Sequence, residues 1–396
     1  MENIPGSIFS TYRHDLEREL GHILDWWIKH ATDTEHGGFH GRIDNQNSVD
    51  AAADRGVVLN SRILWTFSAA ARTHNNAQWL ATAAHAFDYL REHFIDPVHG
   101  GVFWSVSADG RPQNTRKQIY GLAFALYGLA EYYRAGGPKE ALDEAISLFR
   151  WIEQYSYDGV RGGYWEAFAR DGAPLADLRL SDRDRNDPKT MNTHLHILEA
   201  YANLYRVWPD PRVARQLRHL IQVFLDYIIN PLSGHLCLFF DAGWAPQSDV
   251  ISYGHDIEAA WLLLEAAEAL GDAALVLKCR DNAVIMAIAA GRGYDETRGG
   301  LWYENHLAEK HWWVQAEGMV GFLNAWQISG ETHFFEKSIG CWNFVQRHLL
   351  DRTHGEWFWG VDARRRVMPG EDKAGFWKCP YHNGRACLEV MKRVAG

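Results

Sequence analysis

Six pairs of polar or aromatic side chains recur along the chain, each near the opening of an apolar stretch. They are Asn60 and Arg62, Tyr120 and Phe124, Asn192 and His196, His255 and Glu258, Trp313 and Glu317, and Trp377 and His382. Four of the pairs are spaced by three or four residues, which puts both members on one face of a helix. Imidazoles exchange protons near neutral pH. A carboxylate such as Glu258, one turn from His255, can hold that ring's tautomer and raise its basicity. Indole faces stack on the C–H faces of sugar rings while polar neighbours read the hydroxyls. Arg62 lies in the apolar run VVLNSRILWTF, so its charge needs a buried partner or an anionic ligand state. These types in one register describe a shared pocket.

Each residue also has a plainer reading. A lone helical histidine is usually structural. His255 and His382 differ because each opens a helix among turn-type residues (SYGHDIE, CPYHNGR) and belongs to the in-register set. Glu258 and Glu317 read equally well as ion pairs of buried helices. His194 and His196 form an HxH, but on a helix they point about 200° apart, so they do not share a metal. No carboxylate and histidine cluster for a metal is visible, and neither a phosphate-cradling glycine loop nor a dinucleotide fingerprint is present. The expectation is chemistry with no metal and no cofactor.

The pairs need a scaffold that brings six distant segments together, and a repeat supplies it. A turn of Asp or Asn, three residues, then Gly recurs at Asp33 (DTEHGGF), Asp96 (DPVHGGV), Asp158 (DGVRGGY), Asn230 (NPLSGHL), Asp295 (DETRGGL) and Asp351 (DRTHGEW). A period of about 60 residues means six copies of one supersecondary unit. Asp bonds its own backbone in such turns and Gly supplies positive φ. Helix-period stretches precede the turns (12–29, 78–94, 141–155, 213–229, 274–290, 333–349) and follow them (56–72, 118–133, 190–207, 255–269, 312–328, 380–394). Short alternating segments such as Gly101–Val106 and Gly300–Glu304 read as small strands or hairpins. The second helices are apolar nearly all round (LAFALYGLAEYY), as an inner ring requires. No polar capping repeat ends the array. The fold expected is all-α, an (α/α)6 barrel of six helix pairs with short β-hairpins in the connectors, with an open solenoid as the alternative.

No linker-like stretch divides the chain, so residues 1–396 read as one catalytic domain. A net charge of −10 argues against a nucleic-acid partner. No apolar run reaches membrane-spanning length, and MENIPGSIFS lacks a signal-peptide core. Cys237, Cys279, Cys341, Cys379 and Cys387 are scattered and odd in number, which suits a reducing cytoplasm and offers no disulfide framework. Tryptophans crowd into runs such as HWWVQAE, EWFWGVD and FWKCPYHNGR among charged and turn residues, which core packing alone explains poorly.

The strings NSRILWTFSAAAR (60–72), KQIYGLAFALYGLAEYY (117–133), MNTHLHILEAY (191–201), SYGHDIEAAWLL (252–263), WWVQAEGMVGF (312–322) and FWKCPYHNGRACLE (376–389) resemble the cellobiose 2-epimerase family of the N-acylglucosamine 2-epimerase superfamily. The resemblance covers nearly the whole chain, and WKCPYHNGR and NTHLH are specific to the cellobiose branch. It implies an (α/α)6 barrel and cofactor-free inversion at C2 of the reducing-end sugar of a β-1,4-linked disaccharide. Cellobiose would become glucosyl-mannose, lactose would become epilactose, and mannobiose would react in reverse. It also implies that His255 and His382 are the acid/base pair, that His196 assists, and that Arg62 steadies the developing oxyanion. Tyr120, Phe124, Asp184, Asn192, Glu258, Trp313, Glu317 and Trp377 would line the pocket. The partner would be a disaccharide, and the expected state is a monomer or weak homodimer in the cytoplasm.

The chemistry wants these types. A sugar C2–H is acidic only beside a carbonyl, so the ring must open first, losing a proton from O1 and gaining one at O5. A base then takes the C2 proton as charge develops on O1, where a buried guanidinium is suited to stabilise it. Inversion returns the proton to the other face, by a second base or by rotation above one. An ordinary imidazole would place the acid limb of activity near pH 6–7. Residue types alone leave open an aldose–ketose isomerase or N-acylglucosamine 2-epimerase of the same superfamily. A glycoside hydrolase using Asp184 with Glu258 or Glu317 and a non-catalytic sugar binder also stay open.

Overall fold

The computed structural model describes residues 4–182 and 184–394. Twelve α-helices alternate in chain order between two rings. The outer ring holds α1 (Gly6–Trp26), α3 (Ala77–Tyr89), α5 (Lys139–Tyr155), α7 (Pro211–Val223), α9 (Ala273–Gly291) and α11 (Thr332–His348). The inner ring holds α2 (Val57–His74), α4 (Ile119–Arg134), α6 (Met191–Val207), α8 (Tyr253–Leu270), α10 (Trp312–Ser329) and α12 (Tyr381–Val394). Each inner helix packs on the next, and α12 packs on α2, so the ring closes and an open solenoid does not form.

Burial separates the rings. Every residue of α2 from Val57 to Ala71 is buried, because neighbours surround it on all sides. The outer α7 buries only the stripe Val213, Leu217, Leu220, Ile221 and Val223. Short connections run from inner to outer helices. Asn75 (φ 50°), Gly271 and Gly330 (both φ 75°) end α2, α8 and α10 in the left-handed region. Asn76 and Asp272 then cap α3 and α9 with side-chain oxygens. Such tight links make each inner helix the antiparallel partner of the outer helix that follows it, and α12 takes α1. The packed hairpin is therefore offset by one helix from the repeat drawn around the turns, and the chain ends meet to close the barrel.

Long connectors lead from each outer helix to the next inner one, and the six turns lie in them. Each is closed by an antiparallel bridge, from Thr32 with Phe39 to Leu350 with Trp357. In each, the first residue's N–H donates to the carbonyl five residues on, as from Asp96 to Gly101 at 3.0 Å. A buried cation two residues before the inner helix reaches back to the turn's aspartate: Lys117 to Asp96 at 2.9 Å, Lys189 to Asp158 and Lys310 to Asp295 at 2.8 Å, with Arg55 to Asp33 alike. The fourth turn has neutral Asn230, and Ile251 stands where its cation would be. The charges are absent together, as burial demands. Short hairpins form within the connectors, as where Ser105–Val106 pairs with Pro112–Asn114 and where Phe168 bridges to Pro174, Phe240 to Pro246 and Val361 to Val367. Lys117–Gln118 pairs with Ala167–Phe168, and Lys189–Thr190 with Phe239–Phe240, so they tie neighbouring connectors into a collar. No helix of the described residues is long and apolar enough to cross a membrane.

Candidate functional site

The collar surrounds the N-terminal ends of the inner helices, and there members of the sequence pairs come together. Arg62, from α2, is buried in an aromatic box, with its guanidinium carbon 4.1 Å from the Phe124 ring centre and 5.0 Å from that of Tyr381. It donates to the Tyr120 hydroxyl at 2.8 Å and to the Trp377 carbonyl at 3.3 Å. No carboxylate among the described residues forms an ion pair with it, and Nε has no partner. His196, from α6, packs its ring on Phe124 at 4.6 Å and edge-on to Tyr120 at 4.9 Å. Trp313, from α10, lies between the other two histidines, 4.8 Å from His255 and 5.6 Å from His382. Trp377 leans on Tyr120, Trp104 and Phe376 at the rim.

The Nδ1 partners of the three histidines differ. His382 Nδ1 is 2.7 Å from Glu317 and His196 Nδ1 is 2.6 Å from Glu199. A carboxylate accepts, so Nδ1 carries the proton in both and Nε2 keeps its lone pair. His255 Nδ1 has only the Ser252 hydroxyl, at 2.8 Å. Glu258 therefore does not back His255, although it shares that helix. Its carboxylate turns to the α12 side, 3.9 Å from His382 Nδ1. The face shared by i and i+3 left either direction open, and α12 supplies the stronger partner.

That partner is Arg385, one turn beyond His382. Its guanidinium donates to Glu199 at 2.7 Å, Glu258 at 2.7 Å and Glu317 at 2.6 Å. The sequence reading missed Arg385, Glu199, Tyr381 and Trp261. A signal existed: Glu199, Glu258 and Glu317 are spaced by 59 residues each time, one in each of three successive inner helices. The expectation that no carboxylate and histidine cluster exists is also corrected. Glu258, Glu317 and His382 bring ligand-type atoms within 4.8 Å of one another. The cation among them is the Arg385 guanidinium, bonded to an oxygen of both carboxylates, so the donor set does not fit a metal as it stands.

Burial dominates the titration of the site. It pushes His382 and His255 down to about 3, with Arg62 adding to the effect at His382 and His196 at His255. His196 also falls well below the ordinary range through burial and the two arginines. Glu258 rises, through burial and then the neighbouring Glu317. Burial would raise Glu317 too, but Arg385 and His382 hold it down. The site therefore holds neutral imidazoles with exposed lone pairs, beside a guanidinium without a counter-ion. That arrangement can remove a proton from carbon and receive an oxyanion.

Not every expected residue enters the ring. Asp184 lies on the rim, where it accepts from the Ser181 hydroxyl at 2.6 Å and its charge is felt by Glu166 and Tyr303. Asn60 turns back to the Gly56 carbonyl at 2.9 Å. Asn192, in the first turn of α6, is half-buried, and its buried carbonyl oxygen has no partner among the described residues. His194 points away from His196 and fixes a turn, accepting from the Tyr164 N–H at 2.9 Å. Beside the ring a cavity of about 340 Å³ opens between Trp104, Phe376 and Trp377 on one wall and Asn114, Arg116 and Arg179 on the other.

The N-acylglucosamine 2-epimerase (GlcNAc 2-epimerase) profile matches residues 37–386. The chain belongs to this family. Among its members, a cellobiose 2-epimerase of Bacteroides fragilis is 48% identical over 386 residues, 96% of this chain and 98% of the relative. A cellobiose 2-epimerase of Ruminococcus albus is 38% identical, covering 96% and 98%. The structure of cellobiose 2-epimerase from Bacillus thermoamylovorans superposes with a TM-score of 0.93 at 37% identity, covering 97% of this chain and all of that one. The same epimerase fold therefore carries Arg62, His196, His255 and His382 in this chain, and the sequence reading of an (α/α)6 barrel in this family holds.

Proposed function

We propose that the protein is a cellobiose 2-epimerase, inverting C2 of the reducing-end sugar of a β-1,4-linked disaccharide without a cofactor. The observation that carries this is the placement of His255 and His382, which reach one indole, Trp313, from different helices, beside the uncompensated Arg62. The names of the 48% and 38% identical relatives support the substrate class.

The reaction begins with ring opening, in which an imidazole takes the O1 proton and an acid delivers one to O5. The open aldehyde then loses its C2 proton to the Nε2 lone pair of one of the two histidines. Charge moves to O1, where Arg62 receives it in a site of low dielectric. The other histidine, which gained a proton from O1 during ring opening, returns a proton to the opposite face of C2. Glu317 holds His382 in the tautomer that presents Nε2. His196 assists ring opening, with Glu199 behind it. Trp313 and Trp377 stack on the sugar, and Tyr120, Phe124, Asn192, Glu258 and Asp184 complete the pocket and its rim. We also read the chain as one domain over 1–396, working in the cytoplasm as a monomer or weak homodimer.

The deciding experiment is incubation of the protein with cellobiose in D2O, followed by NMR. Deuterium at C2 with manno-type H1/H2 coupling is the expected outcome. A ketose carbon would indicate an isomerase, released glucose a hydrolase, and binding without exchange a carrier.

A further inference from the structure

Arg385 has no task in the chemistry above, yet it is among the most completely buried side chains of the molecule. It lies over the Tyr381 ring at 4.2 Å and the Trp261 ring at 4.8 Å. Both rings also fix its carboxylates: the Tyr381 hydroxyl donates to Glu199 at 2.6 Å and Trp261 Nε1 to Glu317 at 3.0 Å. Two of those carboxylates are the Nδ1 partners of histidines. A continuous path of short polar contacts thus runs from His196 through Glu199, Arg385 and Glu317 to His382, each link 2.6 or 2.7 Å.

We propose that Arg385 is a positioning residue that sets His196 and His382 together and limits the buried cluster to one added proton at a time. The inference rests on the functional reading above. Three carboxylates, Glu199, Glu258 and Glu317, face two guanidiniums, Arg62 and Arg385, so with all three ionised the cluster carries one negative charge in excess, and burial beside Glu317 makes Glu258 the first of them to take a proton. One proton brings it to neutrality, and a second would leave a net positive charge in a buried site. Inversion at carbon needs one acid and one base, and this count admits that state while resisting double protonation. The groups that face the cluster are Arg62 from α2, Tyr120 and Tyr127 from α4, His196 and Glu199 from α6, His255 and Glu258 from α8, Glu317 from α10, and Tyr381 and His382 from α12, and across the cavity that Arg385 also lines stand Arg72, Glu131, Arg134, Arg206, Glu265, Glu389 and Lys392. Coupling of this kind gives pH behaviour that belongs to the cluster rather than to any one residue.

The test uses the full chain with Arg385→Lys, Arg385→Gln and the double variant Arg385→Gln/Glu258→Gln, reading kcat, KM for cellobiose, the acid limb of kcat and Tm. Arg385→Gln removes a cation beside two imidazoles, so they protonate more readily. We expect its acid limb to rise by about one pH unit or more, with kcat down about 100-fold and KM within about threefold. Arg385→Lys keeps the charge but not the fork, so its limb should stay while kcat falls about tenfold. The double variant restores the charge count, so its limb should move back toward that of the wild type whatever Glu258→Gln costs in kcat. An unmoved limb in Arg385→Gln, or a double variant no better than it, overturns the proposal. If Arg385→Gln does not fold, the double variant decides: folded with the limb near wild type supports the charge role, and unfolded shows that Arg385 is only a clamp. Wild-type protein that fails to exchange deuterium at C2 overturns the functional reading itself and this inference with it, whereas an active wild type with an unmoved limb overturns only this one.

Discussion

The two ends of the barrel are built from the same six inner helices, and they treat charge in opposite ways. At the far end a cavity of about 270 Å³ is lined by Arg72, Glu131, Arg134, Arg206, Glu265 and Glu389. Its charges answer one another: Arg72 meets Glu131 at 2.8 Å, Arg134 meets Glu131 at 3.3 Å, and Arg206 meets Glu265 at 3.0 Å. Basic residues there also suit the negative ends of the helix dipoles. At the collar end, among the described residues, Arg62 has no ion-paired carboxylate, the buried carbonyl oxygen of Asn192 has no partner, and His196, His255 and His382 use only Nδ1. A self-satisfied end stabilises the barrel. An unsatisfied end costs stability and is retained where a ligand completes it.

The strongest way to break this comparison is to remove the bases. His382→Ala and His255→Ala should each lower epimerisation by about 10²–10⁴-fold, the range for a positioned acid or base. Circular dichroism and Tm should change little, because a neutral imidazole is lost rather than an ion pair. Near-wild-type turnover in either variant would remove that histidine from the mechanism. Arg62→Met should cost about 10²–10³-fold in kcat, as for loss of an oxyanion donor. Its Tm should change little, since Arg62 forms no ion pair and its charge reaches Glu258 and Glu199 only at longer range. A large fall in Tm would show that Arg62 is structural after all.

Smaller effects sharpen the picture. Trp313→Ala or Trp377→Ala should weaken disaccharide binding by about 1 kcal/mol, by analogy with aromatic pairs. Calorimetric titration with unchanged affinity in both variants would take the indoles out of the site. The pH profile follows from burial. His255 and His382 are held down to about 3, so the neutral base survives well below the ordinary imidazole value of about 6.5. The acid limb should therefore lie below the pH 6–7 that an ordinary imidazole implies. Stability has the same origin and a definite sign. Between about pH 6.5 and 3 the unfolded chain binds protons that the folded site refuses, so Tm should fall as pH drops through that window. A limb at pH 6–7 would mean that bound substrate restores ordinary imidazoles.

The fold was legible because the signals that make it are local. The turn motif, the all-round apolar inner helices and the stripes of the outer ones each report one element, and a sixfold period leaves little choice of assembly. The ring of pairs was legible for a related reason: residues at equivalent helix starts must converge when the ring closes. What could not be read was direction across the barrel axis. Glu258 shares a face with His255 in the sequence, yet α12 draws it to Arg385. The acid limb was open for the same reason, since Arg62 and a carboxylate pull oppositely and only burial decides. Asp184 falls in a connector without periodic pattern, so its place on the rim carried no local signal.

The smallest expected effect on catalysis is the sharpest test of the comparison. Glu131 is buried at the far end and accepts from Arg72 at 2.8 Å, Asn203 at 3.0 Å and Arg134 at 3.3 Å. Glu131→Gln keeps the shape but removes the charge that two guanidiniums share, and its amide presents donors to donors. Leaving such buried groups unsatisfied costs about 1–3 kcal/mol. Both arginines are about one-third exposed, with side chains at 33%, so water recovers part of that cost and the lower half of the range is expected. Tm should fall by a few degrees while kcat and KM stay within about twofold of wild type, because no path of hydrogen bonds leads from Glu131 to His382. A fall in kcat as deep as that of a collar variant, at a temperature where the protein is fully folded, would mean that the two ends are coupled through the α4 and α6 helices. The division between a self-satisfied end and a ligand-completed end would then be wrong.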